Sequence, residues 1–322
     1  MSAGYFPKRE KVGLEDLFRG LVTAGHILHR EEVTGEYGGH VSVRSPDNPA
    51  TYWMSCALSP ALVSSADDLV EYNVEDSSPV EKDAKTGFLE RFIHGEIYKK
   101  FPAINCVVHG HTSEVLPYCV TDVPLKATTH LAGFLGGNIP VWDASAHAPS
   151  GSKQHLLVTD AKLGASLAAA FKPATSAGFI YSKVRSALPA QLAGNPPDPS
   201  REPDHAVVLM RGHGFTTVAT GIEEAVYQSV YLKRAAKTQT AALTIHNAYF
   251  GHTVEGKVDV EGGGKIKSAK VKPEGSLKYL TDKEAHDAWE ANQPIVGKSW
   301  ALWCREVEVS PFYRNECPGS ED

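Results

Sequence analysis

No run of about 18 uninterrupted apolar residues occurs in this 322-residue chain, which excludes a membrane-spanning helix of ordinary kind. The first residues, MSAGYFPKREK, lack the apolar core of a secretory signal peptide. Charge of one sign is missing too. The 38 acidic and 32 basic residues are mixed along most of the chain, and at a net charge of -6 no broad electropositive footprint for nucleic acid forms. The five cysteines, Cys56, Cys106, Cys119, Cys304 and Cys317, are an odd number and lack the short paired spacings of zinc fingers or redox motifs. They read as reduced thiols filling a core. These absences predict a cytoplasmic protein that binds neither nucleic acid nor membrane and whose partner is a small molecule.

What is present fits an enzyme-sized globular fold, since 42% hydrophobic and 22% charged residues match ordinary soluble domains. Apolar side chains at helical spacing (Leu14, Leu17, Phe18, Leu21, Val22, Ile27, Leu28) predict a first amphipathic helix over 12–29. Alternation over 40–44 and the run Thr51-Tyr52-Trp53-Met54 predict a hairpin after the glycines at 35, 38 and 39. Helices are predicted over 88–100, 129–135, 162–171 and 222–242, and strands over 104–109, 139–142 and 205–211, with Pro140 suited to a sheet edge. The proline-rich stretch 188–204 reads as a surface excursion, and 251–278, with three glycines at 262–264, as an exposed hairpin. Its lysines 265, 267, 270 and 272 form a solvated face. Helical periodicity returns over 282–316. The expected organisation is a catalytic domain over 1–250, followed by a hairpin-like insertion and a C-terminal helical extension over 251–322, packed on the same domain.

The chemistry concentrates on histidines at glycine-rich corners. His109 and His111 lie at i and i+2 of a predicted strand, so both side chains reach one face while Gly110 leaves the other open. A histidine pair at a strand end also serves as a hydrogen-bonded structural feature. His213, between Gly212 and Gly214 just beyond a second apolar strand, adds a third imidazole. Three histidines leave a coordination position open, as a catalytic metal needs if it is to hold and polarise a substrate carbonyl oxygen. Imidazole suits zinc, copper, iron and nickel, so ligand type does not name the ion. Glu90 stands on the predicted helix before the first histidine strand. It is either a solvated or ion-paired helical glutamate, or a fourth ligand, or the general acid/base. His94, one turn on, and Glu96 read as structural.

These motifs, in this order, resemble the class II aldolase/adducin family: GGHVSVR at 38–44, ERFIH at 90–94 leading into FPAINCVVHGH at 101–111, and LMRGHGFTTVATGIEEAV at 209–226. The resemblance runs from about Leu14 to Ile245. It implies an α/β fold of three layers, α/β/α, around a central, mostly antiparallel sheet. It also implies a zinc ion, with iron(II) or manganese as other candidates, on His109, His111 and His213, and Glu90 at the acid/base position. A homotetramer with active sites at subunit interfaces is implied as well.

Departures from the pattern narrow the function. Sugar-phosphate members carry small hydroxylated residues before the acid/base glutamate, where this chain has Phe88 and Leu89, which cannot bind phosphate. Their phosphate-loop glycine-asparagine is Gly39-His40 here. A proton-carrying tyrosine of that branch aligns with His130, which either moves a proton itself or is a structural helix histidine. VPLKATTHLAGFLGG at 123–137 is closer in layout to members that decarboxylate aromatic hydroxy-carboxylates. Tyr52, Trp53, Phe88 and Phe134 hint at an aromatic pocket. The expected activity is a metal-dependent carbon-carbon lyase, by retro-aldol cleavage or decarboxylation, on an unphosphorylated hydroxy-carbonyl or hydroxy-carboxylate. Alternatives are a non-haem iron oxygenase on the same three histidines and a non-catalytic adducin-like interaction module.

Overall fold

The computed structural model describes residues 13–148, 151, 153–172, 202–250 and 276–319. The proline-rich excursion up to residue 201, the hairpin expected over 251–278 up to residue 275 and the first twelve residues lie outside them. Seven strands form one sheet in the order β3-β2-β1-β4-β7-β6-β5. Their ranges are β1 His40–Arg44, β2 Thr51–Ser55, β3 Leu69–Asn73, β4 Cys106–Gly110, β5 Val141–Trp142, β6 Val207–Met210 and β7 Gly214–Ala219. Every pairing is antiparallel except β5 with β6, so the sheet is mixed but mostly antiparallel. The expected hairpin is β1–β2, in the register Val43 to Trp53. Pro140 precedes the edge strand β5, where its missing N–H costs no ladder bond.

Strand periodicity assigns the two faces. Along β6, Val207 and Leu209 enter one apolar cluster and Val208 and Met210 the other; along β4, Cys106 and Val108 oppose Val107 in the same way. The first cluster is covered by α1 (Leu14–Arg30), α5 (Ile222–Phe250) and α6 (Asp282–Glu308), the second by α2 (Arg91–Lys100) and α4 (Ala161–Ala170). A further, short helix, α3 (Leu116–Val120), follows β4. The result is the three-layer α/β/α arrangement around the sheet. All five cysteines are buried and free, as core-filling thiols should be.

The C-terminal helix α6 is set by a capping box between Thr281 and Glu284, worth about 1 kcal/mol at an N-terminus. Its Trp289, Trp300 and Trp303 enter the first cluster beside α5. It crosses the 3-10 segment His130–Leu135 so closely that a Cβ on Gly133 would lie 2.3 Å from the Ala285 carbonyl oxygen and 2.8 Å from the Trp289 nitrogen. Backbone atoms cannot move aside cheaply. Gly133→Ala is therefore expected to destabilise the protein by roughly 2 kcal/mol, read as a lower urea midpoint at unchanged slope.

Four sequence expectations change. The helix predicted over 88–100 starts only at Arg91, with Glu90 at its N-cap, because Phe88 and Leu89 belong to the incoming turn. The residues after Met210 do not lead straight into a helix: β7 intervenes and pairs with both β4 and β6. Strand β3 was not anticipated, since its short LVEYN sequence carries a glutamate in mid-run. Finally, of the four aromatics expected around a pocket, Tyr52 and Phe134 are core and Trp53 is partly buried against it. Tyr52 stacks on Tyr72, Trp53 packs edge-on against Phe18, and Phe134 packs edge-on against Trp289.

Candidate metal centre

Three chain segments converge at one end of the central strands. β4 delivers His109 on the α2 face, and the chain leaves the strand through Gly110 with the His111 backbone N–H bonded to the Val33 carbonyl oxygen at 3.0 Å. The β6–β7 turn, closed by the His213 N–H on the Met210 carbonyl oxygen, delivers His213; Gly212 takes the positive φ of +63° that this corner needs. The N-cap of α2 delivers Glu90. Glu90, His109, His111 and His213 each bring a ligand atom within 4.8 Å of every other. His111 fits only because Gly38 has no side chain: a Cβ there would sit 2.5 Å from the imidazole.

Hydrogen bonds fix the roles of individual atoms. His109 Nδ1 lies 2.9 Å from the Phe215 carbonyl oxygen, which can only accept, so Nδ1 carries the proton and Nε2 presents its lone pair. His111 Nε2 lies 2.8 Å from that nitrogen. Both ring nitrogens of His213 are buried without a hydrogen-bond partner. Glu90, 7% exposed, accepts the Val158 N–H on Oε1 at 2.9 Å. Its Oε2 is left 3.5 Å from His213 Nε2 and 3.8 Å from His109 Nε2, beyond ordinary hydrogen-bond length to either. This donor set, three imidazoles, one of them with both ring nitrogens orphaned, and one carboxylate oxygen to spare, fits a divalent cation.

Burial controls protonation. It is the first cause holding His109 well below the usual imidazole range, with the neighbouring His111 and His213 rings adding to it. It lowers His111 to about 4, reinforced by His213 and opposed by Glu90. His94 falls to about 3 through burial alone, and His40 is lowered in the same direction by burial and then by His94. Neutral imidazole is the form a metal binds.

The sign for stability follows. A histidine whose folded pKa is depressed binds fewer protons folded than unfolded, so its contribution is complete above about pH 6.5 and is lost as the pH falls towards the folded value. For His94 and His111 that window runs from about pH 6.5 down to about 3 and about 4 respectively. Each is expected to remove about 2 kcal/mol from the metal-free protein by pH 5. Urea unfolding at pH 7, 6 and 5 measures this; an unchanged free energy across the series contradicts it.

The surroundings differ from expectation in two respects. His94 is a member of a buried network, with Nε2 2.7 Å from His40 Nδ1, and the His40 ring lies 5.0 Å from that of His109. The sequence reads His94 as structural, which this network fits, and offers His40 only as a departure from the phosphate-loop pattern, without the link between them. The available signal was His40 and Ser42 at i, i+2 on a strand facing His94 and Tyr98 at i, i+4 on a helix. His130 stands apart from the four: it is exposed at the start of its 3-10 segment, where its carbonyl oxygen accepts from Asn292 Nδ2 at 3.0 Å. Of the expected pocket aromatics only Phe88 approaches the centre, 4.8 Å from His40, with Tyr37 5.9 Å beyond it. Leu89 is 63% exposed.

Residues 19–240 match the family profile described as class II aldolase and adducin N-terminal domain. A decarboxylase of Talaromyces stipitatus, tropJ, is 38% identical over 297 residues, covering 92% of this chain and 96% of the relative. The chain therefore belongs to the class II aldolase/adducin family. Among solved structures, an aldolase II superfamily protein from Pseudomonas syringae superposes with a TM-score of 0.62 at 17% identity, covering 94% of this chain and 97% of the other. The L-fuculose 1-phosphate aldolase of Glaciozyma antarctica gives 0.58 at 16% identity, covering 92% of each chain. At these identities the likeness is one of fold.

Proposed function

We propose that the chain is a metal-dependent carbon-carbon lyase of the carboxy-lyase type, acting on an unphosphorylated hydroxy-carboxylate. The observation that carries this reading is the convergence of Glu90, His109, His111 and His213, with both His213 nitrogens buried and unpartnered. His109, His111 and His213 would hold the ion, zinc being the expected one. A divalent ion bound there supplies Lewis-acid polarisation of a substrate oxygen. Glu90 is the proton-handling group: its Oε1 is tied to Val158, and its Oε2 is free on the side of the histidines. Phe88 and Leu89, apolar where a phosphate would need hydroxyls, favour an unphosphorylated substrate. The decarboxylase at 38% identity over nearly the full chain favours loss of carbon dioxide over retro-aldol cleavage.

His130 is not among the groups that converge within one chain. The homotetramer with interfacial sites carried by the family resemblance would give it a neighbouring centre to serve, and we include that assembly in the proposal.

Chelation provides the test. Protein stripped with a chelator is expected to lose carbon dioxide release from its hydroxy-carboxylate substrate and to recover it on adding zinc. Dioxygen uptake during turnover would instead support the iron oxygenase, and full activity after chelation would overturn the metal centre.

A further inference from the structure

Four buried side chains beside the centre form a hydrogen-bonded row that the lyase reading leaves unused. Tyr98 OH lies 2.8 Å from Ser42 Oγ, Ser42 Oγ 2.6 Å from His94 Nδ1, and His94 Nε2 2.7 Å from His40 Nδ1. The row ends at His40 Nε2, which is buried without a hydrogen-bond partner. Leaving a polar atom so deep and unsatisfied is costly and calls for a reason. On the α2 face of the sheet His40 is the cross-strand partner of His109. Its ring lies 5.0 Å from that of His109 and 4.8 Å from that of Phe88.

The row has a direction. A tyrosine hydroxyl has one proton to donate, and among the described residues the only other acceptor at Tyr98, the Asn105 carbonyl oxygen, lies 3.5 Å away at the limit of a hydrogen bond. The Tyr98 proton therefore goes to Ser42, and Ser42 donates to His94 Nδ1. His94, neutral, then carries its proton on Nε2 and donates to His40 Nδ1. His40 is left with its own proton on Nε2.

We infer that His40 is a ligand-binding residue whose Nε2–H, held in that tautomer by Tyr98, Ser42 and His94, donates a hydrogen bond to an oxygen of an oxyanion ligand at the three-histidine centre. A fixed, buried N–H donor matches a carboxylate or carbonyl oxygen and rejects an ammonium group. The identity of the ligand rests on the lyase reading; the tautomer does not.

The tautomer is read on the metal-free protein at neutral pH by long-range 1H–15N correlation of histidine-labelled chain, the His40 signals being assigned by their loss in His40→Phe. A protonated Nε2 and a bare Nδ1 are expected. Ser42→Ala, which removes the donor to His94 without touching His40, is expected to convert them to a mixture. A bare Nε2 in the unaltered protein overturns the assignment, whatever the chain catalyses. The ligand half is read by calorimetric titration of zinc-loaded protein with oxalate. His40→Phe is expected to weaken oxalate roughly 10-fold and His40→Asn, whose amide still donates, to restore part of that, with zinc affinity unchanged in both. Equal oxalate affinity in all three proteins, or no oxalate binding by the zinc-loaded unaltered protein, overturns this half. Failure of the unaltered protein to hold zinc would overturn the lyase reading and leave the tautomer result standing.

Discussion

His111→Ala is expected to weaken divalent-metal binding by at least about 100-fold and to abolish lyase activity, while changing the stability of the metal-free protein by no more than about 2 kcal/mol. The 100-fold floor comes from the loss seen when a residue merely supporting a ligand is removed, and His111 is assigned as a ligand itself. Its Nε2 sits 2.8 Å from the lone pair of His109 Nε2, so losing it leaves two imidazoles where three converge. The stability effect is small because the ring is held in place by space rather than bonds: its one hydrogen bond runs to His109, and Gly38 yields the room it fills. Thermal unfolding distinguishes the two effects. With zinc at about 100 times its dissociation constant the unaltered protein gains about 2.7 kcal/mol, and the variant gains at most about 0.4 kcal/mol. If the variant retains metal and activity, the centre has been placed on the wrong residues.

The fold was legible where hydrophobic period and chain punctuation agreed. α1, the β1–β2 hairpin and the start of α5 follow from apolar spacing bounded by glycine and acidic residues, and the structure has them within a few residues of expectation. β7 was not legible, because Gly214-Phe215-Thr216-Thr217 mixes polar and apolar residues on a strand buried on both faces, and its two buried threonines read as turn chemistry. That omission mattered for the site. His213 occupies the corner of a hairpin, not a loop into a helix, and the hairpin partner β7 is what supplies the Phe215 carbonyl that sets the His109 tautomer. The four convergent residues were all visible as types and spacings. Their buried support was not, because the Ser42–His94–His40 contacts join positions more than fifty residues apart whose meeting depends on α2 lying across β1. The aromatics erred in the opposite sense: Tyr52, Trp53 and Phe134 are large and central in sequence motifs, but size alone sends such residues to the core as readily as to a pocket.

Glu90→Gln is expected to lower kcat/KM by about 10²- to 10⁴-fold while metal content stays near that of the unaltered protein. Glutamine keeps an oxygen for the Val158 N–H, so the α2 N-cap and the loop it holds remain in place. What changes is the second carboxylate oxygen, 3.5 Å from His213 Nε2 and 3.8 Å from His109 Nε2, which becomes an amide that can neither take up nor deliver a proton. Three histidines are a sufficient ligand set for a catalytic ion with an open position, which is why metal content is expected to survive. Loss of metal in parallel with activity would make Glu90 a fourth ligand instead, and the proton would then have to move through another group. Glu90→Ala separates these cases less well, because it also strands the buried Val158 N–H at a cost of about 1–3 kcal/mol. The informative comparison is therefore glutamine against glutamate, with metal content, stability and kcat/KM measured on the same preparation.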